Sequence, residues 1–215
     1  MRILFLIGGS VALVWGQYAA PAASVGPDEA WRNLLEGNSR YLSGTGRHPN
    51  QSPAKRTELA KGQHPFAVIL SCADSRVPPE VIFDQGLGDL FTVRVAGNVA
   101  PDDMVGSIEF AVANLGPKLI VVLGHERCGA VDAALKGGPA EGHLGVLLDR
   151  IKPAADAAKG QKDDPLDFAI RANVKNVVKQ LESTGPIISG FVAKGTVKIV
   201  GARYDLDTGK VEVVQ

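Results

Sequence analysis

The chain is poor in cysteine. Its 215 residues include only two, Cys72 and Cys128. That excludes a framework of several disulfides and leaves at most one pair. An excess of charge of either sign is also missing, since Lys plus Arg and Asp plus Glu number 23 each. No strong overall field therefore favours nucleic acid or an anionic membrane, and a small or neutral substrate suits the balance better than a polyanion. Internal repeats and low-complexity tracts are absent, and no apolar run is long enough for a comfortable membrane span. What remains is ordinary globular composition, 45% hydrophobic and 21% charged, in a length that suits one domain with a real core.

Residues 1–22 differ from the rest. Met1-Arg2 is a short positive start, residues 3–15 are mostly apolar, and Ala20-Pro21-Ala22 supplies the small residues of an A-x-A cleavage site. The expectation is a signal peptide over 1–22, a single domain over 23–215, and an exported protein, periplasmic or secreted, with no stable membrane span after cleavage. An uncleaved N-terminal anchor is the rival reading. Export permits a disulfide, so the plain structural reading of Cys72 and Cys128 is one bridge.

Beyond the leader, Pro27–Leu42 reads as an amphipathic helix with Ala30, Trp31, Leu34 and Leu35 on one face. Ser52-Pro53 opens a second short helix that ends at Gly62. An alternation follows. Strands are expected at 66–71, 90–95, 118–124 and 197–202, with helices at 79–83, 102–115, 129–135, 144–158 and 165–181. The turn Asp207-Thr208-Gly209 predicts an antiparallel strand at 210–214. The fold class is α/β: a mostly parallel central sheet with helices on both faces and an N-terminal helical arm. Such sheets bind ligands at the carboxyl ends of their strands. Cys72 falls just beyond the first strand and His125 just beyond the third.

Cys72, His125 and Cys128 form a ligand set of two thiolates and one imidazole. They fill three of zinc's four tetrahedral positions and leave one open, the mark of a catalytic rather than a structural zinc. Asp74, two residues after Cys72, has two possible tasks: a fourth ligand closing the site, or an acceptor that orients activated water. Arg76 is placed to grip Asp74 through a bidentate pair. His48, His64 and His143 fall in loops or at turn boundaries and carry no site role.

The motifs 71-SCADSRV-77 and 124-GHERCGAV-131, with 83-FDQG-86, 94-RVAGN-98, 107-SIEF-110 and Tyr204-Asp205, resemble the β-class carbonic anhydrases over the chain from Asp28 onward. Ala73 stands where many members have serine. The resemblance implies one Zn²⁺ per subunit on Cys72, His125 and Cys128, an Asp74–Arg76 catalytic dyad, and hydration of carbon dioxide to bicarbonate. It implies substrate contacts at Gln63 and at the Gly129 backbone N–H, and an apolar pocket wall from Phe91, Val95 and Ala96. It also implies exchange of the N-terminal arm in a homodimer or homotetramer. Ile69 replaces the tryptophan that accompanies a bicarbonate-closed form, which favours the open site. Two readings compete with this one: a related zinc hydrolase acting on carbon disulfide or carbonyl sulfide, and a non-catalytic exported protein with a Cys72–Cys128 disulfide.

Overall fold

A computed structural model describes residues 25–214. The leader expected at 1–22 lies outside the described residues. Five strands form one sheet in the order β2-β1-β3-β4-β5: β1 (Ala67–Ser71), β2 (Leu90–Arg94), β3 (Leu119–His125), β4 (Lys198–Tyr204) and β5 (Val211–Val213). The first four are parallel and β5 returns antiparallel to β4. β1 and β3 are buried at every position, the consequence of helices on both faces and the reason these strands read as unbroken apolar runs. Alternate residues serve opposite faces. Ala67, Ile69, Val121 and Leu123 pack into one layer, Val68, Leu70, Ile120 and Val122 into the other.

The helices are α1 (Pro27–Leu42), α2 (Pro53–Leu59), α3 (Pro79–Ile82), α4 (Asp102–Asn114), α5 (Gly129–Lys136), α6 (Leu144–Ala158), α7 (Pro165–Ser183) and α8 (Ile187–Ala193). Helix α8 is not legible in the sequence. It is short and carries Gly190 in its interior, which weakens the helical pattern; buried Ile188 holds it in the second layer. The strand at 118–124 runs one residue further than expected, so His125 is the last residue of β3 rather than the residue after it.

Helix α1 docks on its own chain. Ala30, Leu34, Gly37 and Asn38 form its buried stripe, while Trp31 is half-buried and Leu35 is exposed, so only part of the expected face is covered. Asn38 explains the docking. Its Nδ2 donates to the carbonyls of Ile82 at 3.2 Å and Gly209 at 2.9 Å, and its Oδ1 accepts the N–H of Val211 at 3.0 Å. A buried amide is tolerated when its polar atoms are paired in this way. The approach is close enough that a Cβ on Gly37 would lie 1.8 Å from the Phe83 carbonyl oxygen.

Candidate metal centre

The sheet order makes the site. The chain leaves β1 for β2 on one side and crosses back to β3 on the other, so the carboxyl ends of β1 and β3 flank a topological switch point. Parallel pairing sets Ser71 opposite Leu123. Cys72, the next residue, therefore emerges beside Gly124 and His125. A tight turn at Glu126-Arg127, with Arg127 at φ +51°, brings Cys128 back to the N-terminus of α5. The Cys72, His125 and Cys128 ligand atoms all lie within 4.8 Å of one another, and all three residues are buried.

The donors are prepared for a cation. Both cysteines are free thiols, so the structural bridge expected as one reading is not formed. His125 Nδ1 lies 2.8 Å from the Glu126 carbonyl oxygen, which sets Nδ1 as the protonated nitrogen and leaves the lone pair on Nε2. Buried Nε2 has no hydrogen-bond partner. A buried acceptor with no hydrogen-bond partner, beside two thiols, is free to ligate a metal ion. Cys72 is the first to ionise: hydrogen bonding from Cys128 and from the backbone N–H groups of Asp74 and Gly97 outweighs burial and holds it well below the ordinary thiol value. Its thiolate in turn drives Cys128 upward. The two sulfurs titrate as a pair, and a shared cation is what would let both shed their protons. A tetrahedral zinc has ligand-to-ligand edges of about 3.5–3.8 Å, so the residues fit that ion with little movement.

Asp74 stands at the edge of this group, Oδ2 lying 3.9 Å from His125 Nε2. Arg76 holds it at three points: the backbone N–H and Nε both reach Oδ1 at 2.9 Å, and Nη2 reaches Oδ2 at 2.7 Å. This grip keeps the Asp74 carboxyl well below the usual carboxylate range. Gly129 opens α5 directly after Cys128. Val95 and Ala96 follow the end of β2, where the Val95 N–H bonds the Ser71 carbonyl at 3.1 Å.

Gln63 and Phe91 are not brought to the site of their own chain. Phe91 pairs with Val68, four positions before Cys72 and about 13 Å back along the strand. It also packs into the layer opposite the one that holds Cys72. Gln63 is exposed in the loop before β1. Conversely, sequence reasoning gave no metal-site role to Gly97 or Asn173, and linked Arg94 to the site only as the arginine that accompanies a bicarbonate-closed form. The Gly97 N–H donates to Cys72 Sγ at 3.3 Å; no motif spacing announces such a contact.

Fold and centre together define an α/β protein with a buried Cys-His-Cys group, able to hold a metal ion, at the switch point of a parallel sheet. The carbonic anhydrase family model matches residues 67–211. Carbonic anhydrase 2 of Mycobacterium tuberculosis is 44% identical over 188 residues, covering 86% of this chain and 91% of that protein. The carbonic anhydrase of Mycolicibacterium smegmatis is 40% identical over 191 residues, covering 87% and 93%. Among solved structures, a tetrameric β-carbonic anhydrase from Sordaria macrospora superposes with a TM-score of 0.70 at 27% identity, covering 86% of this chain and 97% of that one. A Coccomyxa β-carbonic anhydrase in complex with acetazolamide gives 0.70 at 28%, covering 84% of each. The chain belongs to the β-class carbonic anhydrases and is an enzyme of that kind, a lyase that hydrates carbon dioxide.

Proposed function

We propose that this enzyme works with one Zn²⁺ per subunit, held by Cys72, His125 and Cys128, in an open site whose fourth position is left for water. The observation that carries this reading is the unpartnered Nε2 of His125 facing two buried free thiols. Zinc supplies a water of lowered pKa and a Lewis acid beside the substrate oxygen. The protein does the rest. Arg76 engages both Asp74 oxygens, holding the carboxylate beside the metal position as an acceptor, ready to orient a proton at Oδ2. Burial of the ligands keeps bulk water from competing. With zinc bound, the Cys72 and Cys128 thiolates would cancel the ion's charge and make its water harder to ionise than three histidines would, so the rate is expected to climb through mildly alkaline pH. A flat profile from pH 6 to 9 would count against this.

Gln63 and Phe91 can serve a zinc centre only from a neighbouring copy, because their own chain places them away from Cys72. Exposed Val81 and Leu87 are apolar surface available to such a copy. A homodimer or homotetramer follows, and sedimentation of the native protein checks it. The 1–22 leader would deliver the single domain outside the cytoplasm, which fractionation and the mass of the mature N-terminus decide. No helix among the described residues is long and apolar enough to cross a membrane.

The primary test is stopped-flow carbon dioxide hydration with metal analysis on the native protein and on Cys72→Ser. The expected result is about one zinc per chain and rapid hydration, with both lost in the variant. Zinc without hydration would point to a closed site or to carbon disulfide or carbonyl sulfide as substrate.

A further inference from the structure

Helix α7 lies on the sheet against β3, with Val174 packed on Gly124, and two of its amides hold the segment that follows β2. Asn173 Nδ2 donates to the Gly97 carbonyl at 2.8 Å, and Gln180 Nε2 donates to the Ala100 carbonyl at 2.7 Å. Asn173 is 2% exposed among Ala169, Ile170, Val174 and Val177, a place where an unpaired amide would be costly. Its partner, Gly97, lies at φ +70° and ψ +14°. A Cβ there would meet Ile151 Cδ1 of α6 at 2.5 Å. Gly97 is thus confined between α6 and α7 in a conformation that glycine adopts readily.

This matters because the N–H of the same residue donates to Cys72 Sγ at 3.3 Å. Among the described residues, the only other hydrogen bond to that sulfur from a backbone N–H is that of Asp74, at 3.4 Å, within the motif itself. Only the φ and ψ of Gly97 separate the carbonyl that Asn173 anchors from the N–H that meets the thiolate. Fixing one aims the other. An N–H directed at a thiolate withdraws charge from sulfur and makes it a weaker donor, which leaves a bound cation more electrophilic.

We propose that Asn173 is a positioning residue for the metal centre: through Gly97 it aims the N–H that tunes the Cys72 thiolate. The inference rests on the Cys-His-Cys metal reading above. Gln180 grips the same segment three residues further on and provides the internal control, since a purely structural role for α7 would make the two amides equivalent.

The test replaces zinc with Co²⁺ in the full-length protein and follows the sulfur-to-cobalt charge-transfer band, with zinc affinity measured by competition with a chelator. In Asn173→Leu the band should move to longer wavelength, because the sulfur freed of the N–H is the stronger donor, while zinc stays bound. Gln180→Leu should keep native values for both. Should Asn173→Leu not fold, Asn173→Ala carries the same expectation. An unmoved band in the Asn173 variant, or an equal displacement in Gln180→Leu, overturns the proposal. A native protein with no charge-transfer band at all removes the metal centre itself, and this inference with it.

Discussion

Arg94, the last residue of β2, donates from Nη2 to the backbone carbonyl of Asp74 at 2.6 Å. Its Nε reaches the Cys72 carbonyl at 3.0 Å. One guanidinium therefore spans the turn that carries both Cys72 and Asp74. The rigid fork of arginine suits two oxygens at fixed spacing, and a lysine ammonium does not.

Replacing Arg94 should loosen that turn. Arg94→Ala is expected to lower kcat by about tenfold and to cost about 2–3 kcal/mol of stability from the lost charged hydrogen bonds. Arg94→Lys should restore little of either. Steady-state kinetics and urea unfolding of the two variants check this, and full rescue by lysine would show that only the charge matters.

The Asp74–Arg76 pair should matter for rate more than for stability. The Arg76 side chain is half exposed, so the ion pair itself contributes little to folding. Asp74→Asn removes the acceptor and should reduce kcat on the order of a hundredfold while zinc content stays native. Arg76→Ala should act in the same direction, because it frees the carboxylate to turn onto the metal. Loss of zinc in Asp74→Asn would make Asp74 a ligand instead.

Asp84 links α1, the loop after it and α3. Burial raises its pKa, but the N–H groups of Arg47 and His48 and the Arg40 guanidinium more than offset this and bring it to about 2, against 3.8 in the unfolded chain. A depressed folded-state value means that its contribution is complete above about pH 4 and is lost as pH falls through 2. Asp84→Asn should cost about 1–3 kcal/mol at neutral pH and flatten the acid limb of stability between pH 4 and 2. Urea midpoints measured across that range decide it.

Gly37→Ala tests the docking of α1. The new methyl cannot coexist with the Phe83 carbonyl 1.8 Å away, so a loss of about 3 kcal/mol or more is expected. A variant with native stability would mean that α1 does not pack there in solution.

Much of this protein is written locally. The strands of the parallel sheet are visible because both of their faces are buried and their residues must be apolar throughout, and the Cys-His-Cys group is visible because sulfur and imidazole at strand ends are the donors a zinc site would use. Local sequence thus determined the fold class, the identities of Cys72, His125 and Cys128, and the pairing of Asp74 with Arg76, two residues apart. Tertiary structure alone decided that β1 and β3 lie side by side, which is what joins Cys72 to His125. It also decided that Asn38 ties α1 to its own chain, that Arg94 spans the Cys72 turn, and that Phe91 sits opposite Val68, away from Cys72. These relationships depend on sheet order, register and the crossing of layers. They join residues well apart in sequence, and such contacts leave no periodicity along the chain.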